Sequence, residues 1–345
     1  MSIVLQTVPL GFQWATADPF LFCVHHLDFY PSGDGSFGPQ ASLVGRNIGN
    51  DFEPKDGWRM YHGATVPGFP QHPHRGFETI TFARRGYIDH SDSMGAAARF
   101  GRGDVQWMTA GRGVVHSEMF PLLSTDGDNT VELFQIWMNL PAVDKMVEPH
   151  FTMLWNEQIQ KVRHTDANGL HSDVIVVAGE LDQARGLPPP PDSWASQPDA
   201  DLAIFTIRMQ AGARWTLPRA QHADTRRQLY VFQGNALDMG GQKVANRHVA
   251  EVNTQQDLLI TNGDQISELL MLQARPIGEP VAQYGPFVMN TQAEIHQAFA
   301  DYRRTEFGGW PWKGSDPVHP RETGRFAKHA DGRIEHADTN QGATS

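Results

Sequence analysis

The sequence predicts an all-β protein made of two tandem barrels and one short C-terminal helix. Three observations predict it. The 33 glycines and 23 prolines run through the whole chain and separate short apolar runs, the texture of a sandwich or barrel. Those runs are rich in β-branched and aromatic residues, which suit a pleated, half-buried surface. A strand-and-turn segment near residue 80 also recurs near residue 228, so the barrel reads as a duplication.

Taken in order, residues 78–82, 131–138, 174–177, 202–208, 228–232 and 268–272 read as strands bounded by turn formers. Thr79-Ile-Thr-Phe-Ala-Arg-Arg-Gly86 resembles Arg227-Gln-Leu-Tyr-Val-Phe-Gln-Gly234, at an offset of 234 minus 86, or 148. Carried back at that offset, His72 falls on Ala220, His74 on His222 and Glu78 on Arg226. One ligand-type residue survives, so the second copy reads as structural. The expected division is residues 1–150 for a metal-binding barrel, 151–312 for a second barrel without metal, and 313–345 for a polar tail. Four consecutive prolines, Pro188 to Pro191, place a surface loop within 181–198. Thr291-Gln-Ala-Glu294 has capping-box spacing, with Ile295, Phe299 and Tyr302 on one helical face and Gly308-Gly309 as the stop. The tail after Trp312 has almost no large apolar residue and is expected to be mobile or draped over the surface.

Composition excludes several functions. A formal net charge of −11 without any Lys/Arg block argues against direct nucleic-acid binding. Arg84-Arg85 and Arg226-Arg227 are isolated doublets, expected on solvated strand ends. No apolar run approaches the ~20 residues of a membrane helix. The first residues lack a basic, cleavable leader. The single cysteine, Cys23, excludes an internal disulfide and reads as a small buried hydrophobe. A cytoplasmic protein is expected.

The chemistry lies in His72-Pro73-His74 and Val115-His116-Ser117-Glu118. In a strand, residues two apart point the same way. Two such strands that meet would converge three imidazoles and a carboxylate on one point, a donor set for a divalent metal with room left for water or substrate. A lone strand histidine is usually only hydrogen-bonded; two coincident pairs decide for metal. Glu78 shares the same parity. Gly111-Arg112-Gly113 and Gly103-Asp104 supply turns. Arg75 and Arg112 suit an anion or ordinary salt bridges equally. Phe77, Phe100, Trp107, Met108, Phe134 and Trp137 read mostly as core. His25, His26, His62, His90 and the tail histidines lack paired spacing and read as surface residues.

His72 to Thr79 and Gly103 to Glu118, with Gln135 to Leu140 and Tyr284 to Asn290, resemble the pirin family of the cupin superfamily, over about residues 15 to 307. The resemblance implies two cupin (double-stranded β-helix) barrels with one metal, usually iron, in the first. Zinc, nickel, copper and manganese are the alternatives. Its ligands would be His72, His74, His116 and Glu118. The general cupin signature His-x-His-x3-Glu would instead recruit Glu78, which the pirin pattern leaves as a hydrogen-bonding support. Some pirins are quercetin 2,3-dioxygenases, and a eukaryotic branch serves as nuclear transcriptional coregulators. The implied activity is oxidative opening of a flavonol by dioxygen, with Glu118 as general base. The alternative is a non-enzymatic, redox-responsive regulator acting through a protein partner.

Overall fold

A computed structural model describes residues 2–337. Strands dominate, and they form two compact units. One unit holds residues 25–135, 140–157 and the described chain from 279 onward; the other holds the chain up to residue 24, 136–139 and 158–278.

In the first unit, one sheet runs in the order His150–Leu154, Asp104–Thr109, Phe77–Arg85, Asn129–Asn139, Phe20–Tyr30. A second runs Phe326–Lys328, Ala97–Gly101, Tyr87–Asp92, Val114–Met119, Gly68–His74. The other unit repeats the plan. Val4–Pro9, His248–Val252, Arg226–Gln233, Ser267–Ala274 and Ala203–Met209 are neighbours in one sheet, and Gln242–Val244, Leu237–Met239, Leu258–Thr261 and Arg214–Leu217 form another. The five strands named in the larger sheet have counterparts in the same order in the second barrel, as do the four from Ala97–Gly101 to Gly68–His74 in the smaller. The second barrel adds His171–Ala178 and Gln160–Thr165 beyond Ala203–Met209. The repeat seen in the sequence is a duplicated antiparallel barrel. Each barrel has its own core. Phe100, Met108, Phe120 and Leu133 pack in the first, and Phe205, Leu229, Leu269 and Met271 in the second. Each such buried side chain contributes about 1.5–3 kcal/mol. Cys23 is fully buried, as expected.

Two departures from the expected division share a cause. The place held by His150–Leu154 in the first barrel is filled in the second by Val4–Pro9, which pairs with His248–Val252. The first residues of the chain therefore complete the second barrel. The tail is also structural. Phe326–Lys328 pairs with Ala97–Gly101, and Ala327 is fully buried. The buried Arg99 grips Asp89 through two 2.7 Å bonds and donates to the carbonyls of His319 and Pro320. Backbone pairing between segments this distant leaves no local periodicity to read. Residues 338–345 of the expected tail lie outside the described residues.

The Gln292–Thr305 helix starts as predicted, with reciprocal bonds between Thr291 and Glu294. Ile295 is buried, and Phe299 and Tyr302 pack beside it. It ends at Glu306 in left-handed geometry, two residues before the predicted glycine stop. Among the described residues, no helix is long and apolar enough to cross a membrane.

Candidate metal centre

Gly68–His74 and Val114–Met119 pair antiparallel, with His72 opposite His116 and a bulge between Phe69 and His72. Alternation puts His74 on the face of His72. The ring centroids lie 4.8 Å (His72–His74), 4.5 Å (His72–His116) and 4.9 Å (His74–His116) apart. One ring nitrogen from each falls within 4.8 Å of the other two.

Electrostatics favour metal over protons here. Burial holds His72 down at about 4 and pushes His74 and His116 well below the usual imidazole value. All three are neutral and keep a lone pair. His72 Nδ1 lies 2.8 Å from the Pro70 carbonyl, which fixes the proton there and leaves Nε2 as the donor atom. His116 is fully buried, and among the described residues neither ring nitrogen has a hydrogen-bond partner. An unsatisfied buried imidazole is costly, and a metal ion resolves that cost. The donor set fits a divalent transition metal.

Glu118 lies two residues beyond His116 on the same strand but outside the tight group of three histidines. Its carboxylate accepts the Thr81 hydroxyl at 2.9 Å and the Gln135 amide at 3.3 Å, and burial raises its pKa. Glu78 is fully buried and accepts the Thr109 hydroxyl at 2.7 Å. It does not share a strand face with His72 and His74. The strand ends at His74, and Gly76 (φ 82°) turns the chain into the other sheet; a Cβ there would come within 2.0 Å of the Val288 carbonyl oxygen. Parity cannot be carried across that break.

The sequence reading missed His90. It is fully buried, sits opposite Glu118 across the ladder, and its ring lies 5.5 Å from that of His116. Its Nε2 meets Asp92 Oδ2 at 3.1 Å. The surrounding Asp-His-Ser-Asp has no apolar alternation to mark a buried strand. His26, His319 and His329 are likewise buried rather than on the surface. Arg75 pairs with Asp301 at 2.9 Å and Arg112 with Glu148 at 2.8 Å, so both are ordinary salt bridges. Phe77, Phe100, Trp107, Met108 and Phe134 are core.

Residues 48–138 match the sequence family described as Pirin, and residues 204–308 match the Pirin C-terminal cupin domain. The chain belongs to the pirin family. Human pirin is 32% identical over 253 residues, covering 72% of this chain and 80% of its own length. A Pseudomonas aeruginosa protein, whose name carries a provisional quercetin 2,3-dioxygenase assignment, is 34% identical over 242 residues, with 70% and 79% covered. The crystal structure of quercetin 2,3-dioxygenase from Acinetobacter baumannii superposes with a TM-score of 0.67 at 26% identity, covering 89% of this chain and 98% of that one. The two barrels are the cupin domains of a pirin.

Proposed function

We propose that this pirin is a cytosolic, iron-dependent dioxygenase of the quercetin 2,3-dioxygenase type that opens a flavonol or related polyphenol. The observation that carries it is the trio of neutral imidazoles, one half-buried and two buried, of which His116 has no hydrogen-bond partner among the described residues. The names of the Pseudomonas and Acinetobacter relatives support the reaction class. His72, His74 and His116 would hold the metal, with Glu118 as the carboxylate of the set. When bound, ferrous iron supplies Lewis acidity and one-electron chemistry toward dioxygen.

The chain's own residues then have defined tasks. Glu118 accepts the proton of the flavonol 3-hydroxyl. Burial raises the Glu118 pKa toward the working range of a general base, and the Thr81 and Gln135 bonds orient its two oxygens. The buried walls exclude water from the reacting oxygens. Overall, flavonol and dioxygen give a ring-opened depside and carbon monoxide.

The test is anaerobic purification, metal analysis, and oxygen uptake with quercetin before and after Fe(II) loading. Iron-dependent turnover with carbon monoxide release is expected. One metal per chain without turnover would overturn the dioxygenase reading and leave a metal-responsive regulator in its place.

A further inference from the structure

His74 differs from its two neighbours in what holds its ring. His72 is fixed by the Pro70 carbonyl two residues away, a local contact. The His74 ring hydrogen-bonds the carbonyl of Pro286, which lies 286 minus 74, or 212, residues further along the chain. A carbonyl that takes one ring N–H leaves the other nitrogen as the lone-pair donor and sets the plane of the ring. The orientation of His74 is therefore set from the C-terminal segment, which belongs to the same compact unit.

That carbonyl is itself pinned. It also accepts the Arg75 amide at 3.4 Å, and the Val288 amide donates to the Arg75 carbonyl at 3.0 Å, a parallel bridge between Arg75 and Phe287. Lys145 is 1% exposed and spans the same junction. Its Nζ donates to the Gly76 carbonyl at 2.7 Å and to the Val288 carbonyl at 3.3 Å. Phe287 is fully buried and packs on Phe299 and Tyr302 of the Gln292–Thr305 helix. The strand end at His74, the Pro286 turn and the helix thus form one packed block.

Arg75 closes the block from the other side. It is 5% exposed, with its guanidinium carbon 4.5 Å from the Phe307 ring centroid. Its Nε donates to the Arg112 carbonyl at 2.6 Å and its Nη1 to Asp301 Oδ2 at 2.9 Å. Arg112 lies in the turn that leads into Val114–Met119, the strand of His116, and Asp301 lies on the helix. One guanidinium joins the residue after His74, the approach to His116 and the helix behind Pro286.

We propose that Arg75 and Asp301 are positioning residues of the metal centre, holding the Pro286 carbonyl against the His74 ring so that the metal meets His74 in one orientation. The proposal rests on the three-histidine reading given above. Neither residue touches the metal. A half-exposed ion pair contributes little to stability by itself, but a ligand ring works only within ~0.5 Å and ~10–20° of its productive geometry. The pair therefore bears on metal affinity more than on folding.

Titration of the full-length, metal-free protein with Co(II), followed by visible ligand-field absorption and by chelator competition, tests this without turnover. Asp301→Asn and Arg75→Met should each weaken Co(II) binding ~10–100-fold, the range found when a group that orients a ligand is lost. Both should also change the ligand-field band, because one imidazole is no longer held. Asp301→Glu, which keeps the carboxylate for Arg75, should restore affinity and spectrum. Thr291→Ala removes the helix cap, leaves Arg75 untouched and should bind as the wild type does. A wild type that takes up no Co(II) overturns the three-histidine reading and this proposal with it. Wild-type affinity and spectrum in folded Asp301→Asn overturn the proposal alone, and decide the matter even where Arg75→Met does not fold. Equal weakening in Thr291→Ala also overturns it, since any loosening of the helix would then suffice.

Discussion

His72 stands directly across the antiparallel ladder from His116, their ring centroids 4.5 Å apart. Directly opposed residues bring their Cβ atoms within ~4.5–5.5 Å, so strand register alone sets the distance between two ligand-type rings. Alternation then adds His74. A slip of one residue would turn the set to the other face, and the bulge between Phe69 and His72 marks the register that avoids this.

His116→Ala should strip the metal and keep the fold. The ring makes no hydrogen bond among the described residues, so its removal orphans no polar partner there. Elemental analysis should show metal per chain falling toward zero, with an unchanged far-ultraviolet dichroism spectrum. A folded variant that holds stoichiometric metal would rule out the three-histidine set.

Glu118→Gln removes the proposed base and leaves the three histidines in place. The amide preserves size and removes the base. Oxygen uptake with quercetin should fall by roughly 10²–10⁴, the range of general-base contributions, while metal remains detectable. An unchanged rate would exclude Glu118 as the base.

Most of the architecture was legible because it is local. The runs at residues 78–82, 131–138 and 268–272 lie inside the strands Phe77–Arg85, Asn129–Asn139 and Ser267–Ala274. The capping box at Thr291 formed as written, and three of the expected ligands converge. What escaped was non-local. Val4–Pro9 closes a barrel more than 150 residues away in sequence, and nothing in those residues names that partner. Glu78 was misplaced because one glycine ended the strand on which parity was counted. His90 and Arg227 look solvated by type, and only tertiary packing shows them buried.

Shortening the chain after Trp312 should destabilise the first barrel. It removes the Phe326–Lys328 strand and the carbonyls of His319 and Pro320, both of which accept from the buried Arg99. It also removes the His319 amide that donates to Asp89 at 2.7 Å. Lost bonds to buried charges cost ~1.5–3 kcal/mol each, so the truncated chain should lose at least ~3 kcal/mol. Denaturant unfolding measures this. Equal stability of the two chains would show the tail to be passive.

His26 gives the first barrel a pH-dependent stability whose sign follows from its burial. The ring is buried, and its Nδ1 meets the Tyr61 hydroxyl oxygen at 2.8 Å; that hydroxyl donates to Asp28 Oδ2 at 2.6 Å. Tyr61 therefore has its oxygen free to accept, and His26 donates as the neutral Nδ1–H tautomer. Burial, with Arg59 nearby, holds the His26 pKa at about 3, against 6.5 when unfolded. Between those values the unfolded chain binds the extra proton, so stability is present above pH 6.5 and is lost as pH falls toward 3, at up to ~1.4 kcal/mol per unit. Asp28 opposes this. Burial raises it from 3.8 to about 6, so its contribution is present below 3.8 and lost as pH rises through 6. The two slopes largely cancel between 3.8 and 6 in the wild type. Asp28→Asn should expose the His26 slope and make acid destabilisation steeper. His26→Gln should lose less stability than the wild type on acidification below 6.5. Urea unfolding of the three proteins across that range measures both slopes. Parallel pH profiles would mean that His26 is solvated and protonates freely, contrary to its place against Tyr61.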